Sequence, residues 1–267
     1  MTALGFGLAA TAPRPTVLAA AQAAEAGGYR TFWLNHPPPD DALPPLAAAA
    51  GATSDIGVGV GVIPVSARTA GSILDGIADV RLPIPRLRLG IGSGTGPGPL
   101  GRVREAVEEL RRGTDAEIVV AALGPGMCRL AGEIGDAVLL SQVTPPGARS
   151  LIDIVFEAAD AAQRARPDVY VYVRTALGEP GIAALEREAR VYASLPVYAA
   201  AFERLGTGPL DAAIRARSDA ELREGIAPWV GLVDEVVLRA LTADDSEADV
   251  LAVLEAASGQ EAANGSL

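Results

Sequence analysis

The chain has 267 residues, 49% of them hydrophobic, and a formal charge of −11; its 22 basic residues are all arginine. Without lysine there is no Schiff-base catalysis and no P-loop phosphate grip, and an acidic chain with no basic stripe suits nucleic acid poorly. No apolar run approaches the ~20 residues of a membrane span, and the one cysteine, Cys128, excludes an intrachain disulfide and suits a reducing cytoplasm.

The N-terminal stretch Met1–Leu8 has no basic residue ahead of its apolar part, so it reads as a first strand, Ala3–Leu8. A second strand, Thr31–Leu34, runs into Asn35 and His36, the only histidine, followed by Pro37–Pro39. An imidazole at a strand end can exchange a proton near neutral pH, or hydrogen-bond a ligand or the proline loop. One histidine cannot assemble a histidine-based metal site, and no Cys/His spacing suggests zinc. Nor is there a Gly-x-Ser-x-Gly elbow for a serine hydrolase. The third strand, Gly57–Ile63, alternates glycine with valine, leaving one face without side chains. Such a face accepts either a ligand pressed on the sheet or tight packing inside a barrel.

The fourth strand, Leu87–Ile91, enters the glycine-rich run Gly90–Gly101. Gly96–Gly101 spells a dinucleotide fingerprint, but Pro97 and Pro99 remove two amide donors where a pyrophosphate would need them. The run is better read as a close backbone approach to a flat ligand at Gly92–Gly94, with Ser93 and Thr95 as hydrogen-bonding hydroxyls, or as a mobile loop. Helix Gly101–Arg112 places Val103, Val107 and Leu110 on one face.

Next, Ile118–Ala122 leads through the turn Gly124-Pro125-Gly126 and a helix to the sixth strand, Ala137–Leu140. Strand, turn, helix, strand is a parallel crossover. Pro125 suits a first helical turn, and the free amides there favour a phosphate, although the same turn serves any βα barrel. The seventh strand, Val169–Arg174, stands about twice the usual spacing from the eighth, Glu235–Arg239. The extra segment, Leu177–Pro209, holds the helical pattern Ile182–Leu195 and is either a lid or a packing helix pair. Ser218–Glu221 is a capping-box pattern and Ser246–Asp249 a weaker one. The tail Ser258–Leu267 is expected to fray.

Eight strands alternating with helices predict a (β/α)8 TIM barrel, one compact domain over residues 1–257 with a tail over 258–267. An open doubly wound sheet is the alternative.

Five pieces together resemble the luciferase-like family of flavin and deazaflavin oxidoreductases: Ala24–Tyr29, Phe32–His36, Ala52–Pro64, Leu89–Gly94 and Ala122–Asp136. Their order agrees from residue 1 to about 145, and the rest matches more loosely. The resemblance implies a barrel holding reduced FMN or an 8-hydroxy-5-deazaflavin coenzyme at its C-terminal mouth. It places Gly124, Pro125, Gly126 and Met127 around the cofactor phosphate. It also makes the Gly61–Val62 bond the family's non-prolyl cis peptide behind the ring, and His36 the proton donor or hydrogen-bond partner beside it. Two positions depart from the family: Asn35 replaces a common acid before the histidine, and Thr95 stands where some deazaflavin members have a catalytic Glu.

The implied activity is hydride transfer or monooxygenation of a small organic substrate, by a cytoplasmic homodimer, with no nucleic acid or membrane partner. The deazaflavin tail would need further cations, with Arg68 or Arg129 as candidates. A non-catalytic flavin-binding or structural barrel is the rival. A phosphate-binding isomerase or lyase lacks both the lysine and a carboxylate pair at the strand ends.

Overall fold

The computed structural model describes residues 1–36 and 40–259; the Pro37–Pro39 loop and nearly all of the expected frayed tail lie outside them. Among the described residues, short apolar runs form nine parallel strands. These are β1 (Ala3–Ala9), β2 (Thr31–Asn35), β3 (Gly57–Pro64), β4 (Leu87–Gly92), β5 (Glu117–Ala122), β6 (Ala137–Ser141), β7 (Asp168–Leu177), β8 (Ala213–Ala216) and β9 (Glu235–Ala240). Strands β1 to β6 pair in chain order, β1 also pairs with β9, and β9 with β7. The β6–β7 pairing, with Ala137 opposite Asp168, closes the ring. Closure establishes the TIM barrel and removes the open sheet.

The strand β8 was not expected. It is a four-residue strand beside the upper part of β7, pairing Arg174–Leu177 with Ala213–Ala216. Since β9 occupies one edge of β7, β8 takes the edge that β6 leaves free above Tyr172. The expected eighth strand is therefore β9.

Helices α1 (Arg14–Ala26), α2 (Leu43–Gly51), α3 (Ala70–Val80), α4 (Pro99–Gly113), α5 (Pro125–Ile134) and α6 (Pro145–Ala161) follow strands β1 to β6. After β7 come α7 (Gly178–Ser194) and α8 (Pro196–Leu205); α9 (Asp219–Ile226) follows β8 and α10 (Glu247–Ser258) follows β9. Their starts carry the expected signals. Thr69, Thr144, Ser218 and Ser246 each accept an amide N–H from the first turn, and prolines sit at the first positions of α5 and α6. The main core lies between the ring and these helices, with Phe6, Leu8, Phe32, Leu34, Val60, Ile63 and Leu89 fully buried. Alternate strand residues point into the lumen, where Trp33, Val119, Leu139, Tyr170, Tyr172 and Val237 form a separate cluster.

Candidate functional site

The lower end of the lumen is sealed. Fully buried Glu235 accepts from Trp33 Nε1 at 2.9 Å and Thr31 Oγ1 at 3.1 Å, beside Gly5. Burial raises its carboxyl pKa, while Arg88, the Trp33 donor and Arg30 oppose that shift. Arg88 lies over Gly57 and pairs with Glu117 at 3.2 Å, and Trp33 lies over Gly59. For these two glycines the side-chain-free face of β3 is tight interior packing, with no space for a ligand.

Gly61, one step higher, differs. A methyl group there would have Leu139 and Trp33 atoms at 3.4 Å and Tyr172 at 3.8 Å, ordinary contact distances. The Gly61–Val62 peptide is cis, and the β3–β4 register shifts between Val60 and Ile63. On the neighbouring strand Gly92 faces Val62, with 2.9 Å from a Gly92 methyl position to Val62 Cγ2. At the mouth, then, β3 and β4 present backbone and one valine.

The loop after β4 is tied down. Arg102, from the first turns of α4, donates to the carbonyls of Ser93 at 2.8 Å and Thr95 at 3.0 Å. The Thr95 amide donates to Ser66 Oγ at 3.1 Å, and Ser93 Oγ donates to the Gly94 carbonyl at 3.2 Å. Gly94 holds φ +64 against Ser66, a conformation and a gap that only glycine fits. The Thr95 hydroxyl is the unengaged group of the two expected there; the Ser93 hydroxyl bonds its own loop.

Beyond β5, Gly124 precedes α5 in extended conformation and its side gives no cap. Cys128 N–H already donates to the Gly124 carbonyl at 3.0 Å. Pro125 has no N–H, so the amides of Gly126 and Met127 are left facing outward from the first turn. Beside the preceding Leu123 and Gly124 lies a cation that the sequence did not single out. Arg204, from the last turn of α8, donates to the Leu123 carbonyl and stands 3.1 Å from a Gly124 methyl position. Arg129, by contrast, is exposed, and Arg68 is engaged with Asp41 at 3.0 Å and the Ser72 carbonyl at 3.1 Å. Cys128, buried behind the turn, has its thiol pushed up to about 12 by burial, which leaves it unreactive.

His36 follows β2 with its side chain 9% exposed. Its Nδ1 accepts the backbone N–H of Ala42 at 3.1 Å, just ahead of α2. Burial and the nearby Arg68 hold its pKa below the ordinary histidine value, against Asp41 and Asp40. The ring is therefore neutral with its proton on Nε2, a hydrogen-bond donor.

The segment 177–209 forms the helix pair α7–α8. Arg174, inward on β7, donates to Glu188 of α7 at 2.6 Å and lies 4.1 Å from the Tyr192 ring centroid. Tyr192 packs edge-on against Tyr198 of α8, centroids 4.7 Å apart. The pair is thus anchored over the upper ends of β5 and β7. A cleft of about 740 Å³ lies at the opposite end of the barrel, lined by Arg30, Arg86, Arg88, Arg111, Glu117 and Asp136 among others. Its arginines are engaged, Arg111 with Asp136 at 2.6 Å, Arg30 with Asp168 at 2.9 Å, and Arg86 with the Ile56, Ala50 and Thr53 carbonyls, and strand N-terminal ends in such barrels serve stability. Among the described residues no group of histidine, cysteine and acidic side chains has metal-site geometry, and no helix is long and apolar enough to cross a membrane.

The barrel has many solved counterparts. A coenzyme F420-dependent tetrahydromethanopterin reductase from Methanopyrus kandleri superposes with a TM-score of 0.73 at 18% identity, covering 96% of this chain and 97% of that one. An F420-dependent secondary alcohol dehydrogenase gives 0.74 at 16%, covering 96% and 99%. The oxygenating constituent of 3,6-diketocamphane monooxygenase from Pseudomonas putida, solved with FMN, gives 0.71 at 16%, covering 99% and 100%. None of the curated proteins matches the chain in sequence. A family model described as luciferase-like monooxygenase matches residues 2–117 and 104–258. With those two matches running the length of the barrel, the chain belongs to the luciferase-like monooxygenase family.

Proposed function

We propose that this chain is an oxidoreductase that works with a reduced flavin or deazaflavin bound at the barrel mouth. The observation that carries the reading is the α5 entrance: two unbonded amides, on Gly126 and Met127, with the Arg204 guanidinium beside the preceding Gly124. Amide donors plus a cation are what a phosphate monoester or diester needs. Two strands away, the Gly61–Val62 and Gly92 backbone gives a planar ring a wall without bulky side chains. The residues fit either cofactor: Gly124, Pro125, Gly126 and Met127 with Arg204 at the phosphate, Gly61 and Val62 behind the ring, and Ser93, Gly94 and Thr95 along its side.

Such a cofactor, when bound, supplies the hydride, and a reduced flavin also supplies electrons to oxygen, so the reading spans hydride transfer and monooxygenation of a small organic substrate. The protein's own work is to hold and orient. Arg204 fixes the tail, the sealed lumen floor excludes water from below, and α7–α8 walls the mouth. His36 contributes a hydrogen bond from Nε2. Because Nδ1 is engaged by the Ala42 amide, donating the Nε2 proton outright would leave an imidazolate, so His36 orients and polarises rather than acting as a general acid.

A cytoplasmic homodimer completes the reading. Val191, Leu195 and Val197 are 58%, 41% and 64% exposed around the α7–α8 elbow, apolar surface that self-association would cover.

The test is anaerobic spectral titration of the purified chain with reduced FMN and reduced deazaflavin. Saturable binding of either, followed by oxidation dependent on a substrate panel, is expected; binding of neither removes the reading. His36→Ala separates it from a non-catalytic barrel, since it lowers turnover while binding persists only in an enzyme.

A further inference from the structure

Residues Arg174 and Arg239 are directly opposite on adjacent strands β7 and β9, and Gly7 of β1 continues the same row. Both arginines point into the upper lumen and are buried, 8% and 5% exposed. Like charges facing each other across a ladder repel, and a buried charge without a partner is costly. Arg174 is fully provided for: Glu188 at 2.6 Å, Ser141 Oγ at 3.2 Å, and the Gln142 amide oxygen, turned toward it, at 3.0 Å. Arg239 is not. Its hydrogen bond is to the carbonyl of Ala240, and among the described residues no carboxylate lies within 4.0 Å of it.

A second unprovided group sits beside it. Tyr172 Oη is buried with no hydrogen-bond partner, 2.9 Å from a Gly7 methyl position, so it fills the space Gly7 leaves next to Arg239. The same tyrosine's ring edge reaches within 3.8 Å of the Gly61 methyl position. One buried guanidinium without a counter-charge and one buried hydroxyl without an acceptor thus converge at the base of the mouth. Both are donors, and together they ask for a planar anion.

We propose that Arg239 and Tyr172 form a receptor for a planar, delocalised anion: the carboxylate of the substrate, or the negatively charged ring of the reduced cofactor. The receptor follows from the row Gly7–Arg239–Arg174 itself, and only the identity of the group it takes rests on the function proposed above.

The experiment uses the purified full chain, free of cofactor and at low ionic strength. Acetate and benzoate are compared with acetamide and benzamide, their neutral isosteres, by calorimetry and thermal shift. FMN and riboflavin, both reduced to the form whose ring carries the negative charge and kept anaerobic, are titrated with and without saturating benzoate. Saturable binding of a carboxylate but not its amide, independent of FMN and reduced at least tenfold by R239M and about threefold by Y172F, assigns the receptor to substrate. Loss of at least tenfold in affinity for both FMN and riboflavin in R239M, with carboxylate excluded once FMN is bound, assigns it to the cofactor ring. Either supports the proposal. Exposed Arg129→Met is the control expected to change neither. Carboxylates and amides acting alike, together with wild-type FMN and riboflavin affinity in R239M and Y172F, overturns it. Y172F removes only an oxygen, so it keeps the test alive should R239M not fold. Carboxylate binding without any flavin or deazaflavin binding sinks the proposed function but leaves the receptor standing; the reverse, with flavin affinity insensitive to R239M, sinks the receptor alone.

Discussion

Nδ1 of His36 accepts the backbone N–H of Ala42, and so one imidazole both ties down the residue ahead of α2 and is locked as a donor at Nε2. The folded chain therefore favours the neutral ring, and its pKa lies below the ordinary value near 6.5. Between that value and the lower folded one, the unfolded chain binds the proton and the folded chain does not. Stability contributed by His36 is thus complete above about pH 6.5 and is lost as pH falls through the folded pKa. The urea midpoint of the parent chain relative to H36Q should fall from pH 7.5 through 6.5 to 5.5: the raised carboxyl pKa of Glu235 acts in the opposite sense but is common to both proteins, and no other histidine exists in the chain. Equal slopes in both proteins would contradict the assignment.

His36→Ala removes this hydrogen bond and the Nε2 donor. A lost intramolecular hydrogen bond costs about 1 kcal/mol, read as a lower urea midpoint. Turnover should fall about tenfold, the equivalent of roughly 1.4 kcal/mol in the barrier, with cofactor affinity nearly unchanged. Unaltered turnover alongside the lost stability would make the histidine purely structural.

Arg204 carries the next expectation. R204M should weaken FMN binding about tenfold, roughly 1.4 kcal/mol, and leave riboflavin, which lacks the phosphate, unaffected. Fluorescence-quench titrations of both ligands decide this. Equal losses for the two would place Arg204 in packing α8 alone.

The glycines of β3 separate packing from space. Gly59→Ala drives a methyl into the fully buried Trp33 and should cost about 1–3 kcal/mol. Gly61→Ala meets only contacts of 3.4 Å or more, so the midpoint should stay close to that of the parent chain while flavin binding drops. The comparison needs only denaturation curves and one binding isotherm.

The barrel was legible because its strands are dense in β-branched and aliphatic residues with glycine turns between them, and local pattern alone marks such segments. The β8 strand, Ala-Ile-Arg-Ala, carries too little of that pattern to stand out and exists only because β7 outruns β6. The free amides of the α5 start were legible, since Gly-Pro-Gly fixes them locally. Its cation was not: Arg204 lies 80 residues from Gly124 and arrives through the packing of α8. For the same reason Arg68 and Arg129, closer in sequence to the motifs, were the natural candidates; the structure ties Arg68 to Asp41, leaves Arg129 exposed and sets Arg204 beside Gly124. The glycine alternation of β3 left ligand and packing open, and the answer differs residue by residue, packing at Gly57 and Gly59 and open wall at Gly61. Arg239 and Tyr172 looked like ordinary strand residues; only the closed ring brings together a guanidinium with no carboxylate within 4.0 Å and a hydroxyl with no hydrogen-bond partner.

The proposed function puts a phosphate at the α5 entrance and the ring at the β3–β4 mouth, and a crystal structure of the chain with FMN decides it. The expected result is phosphate density at the Gly126 and Met127 amides, near Arg204, with the ring against Gly61–Val62. Density instead in the arginine-lined cleft at the strands' N-terminal end, by Arg86 and Arg111, would contradict it.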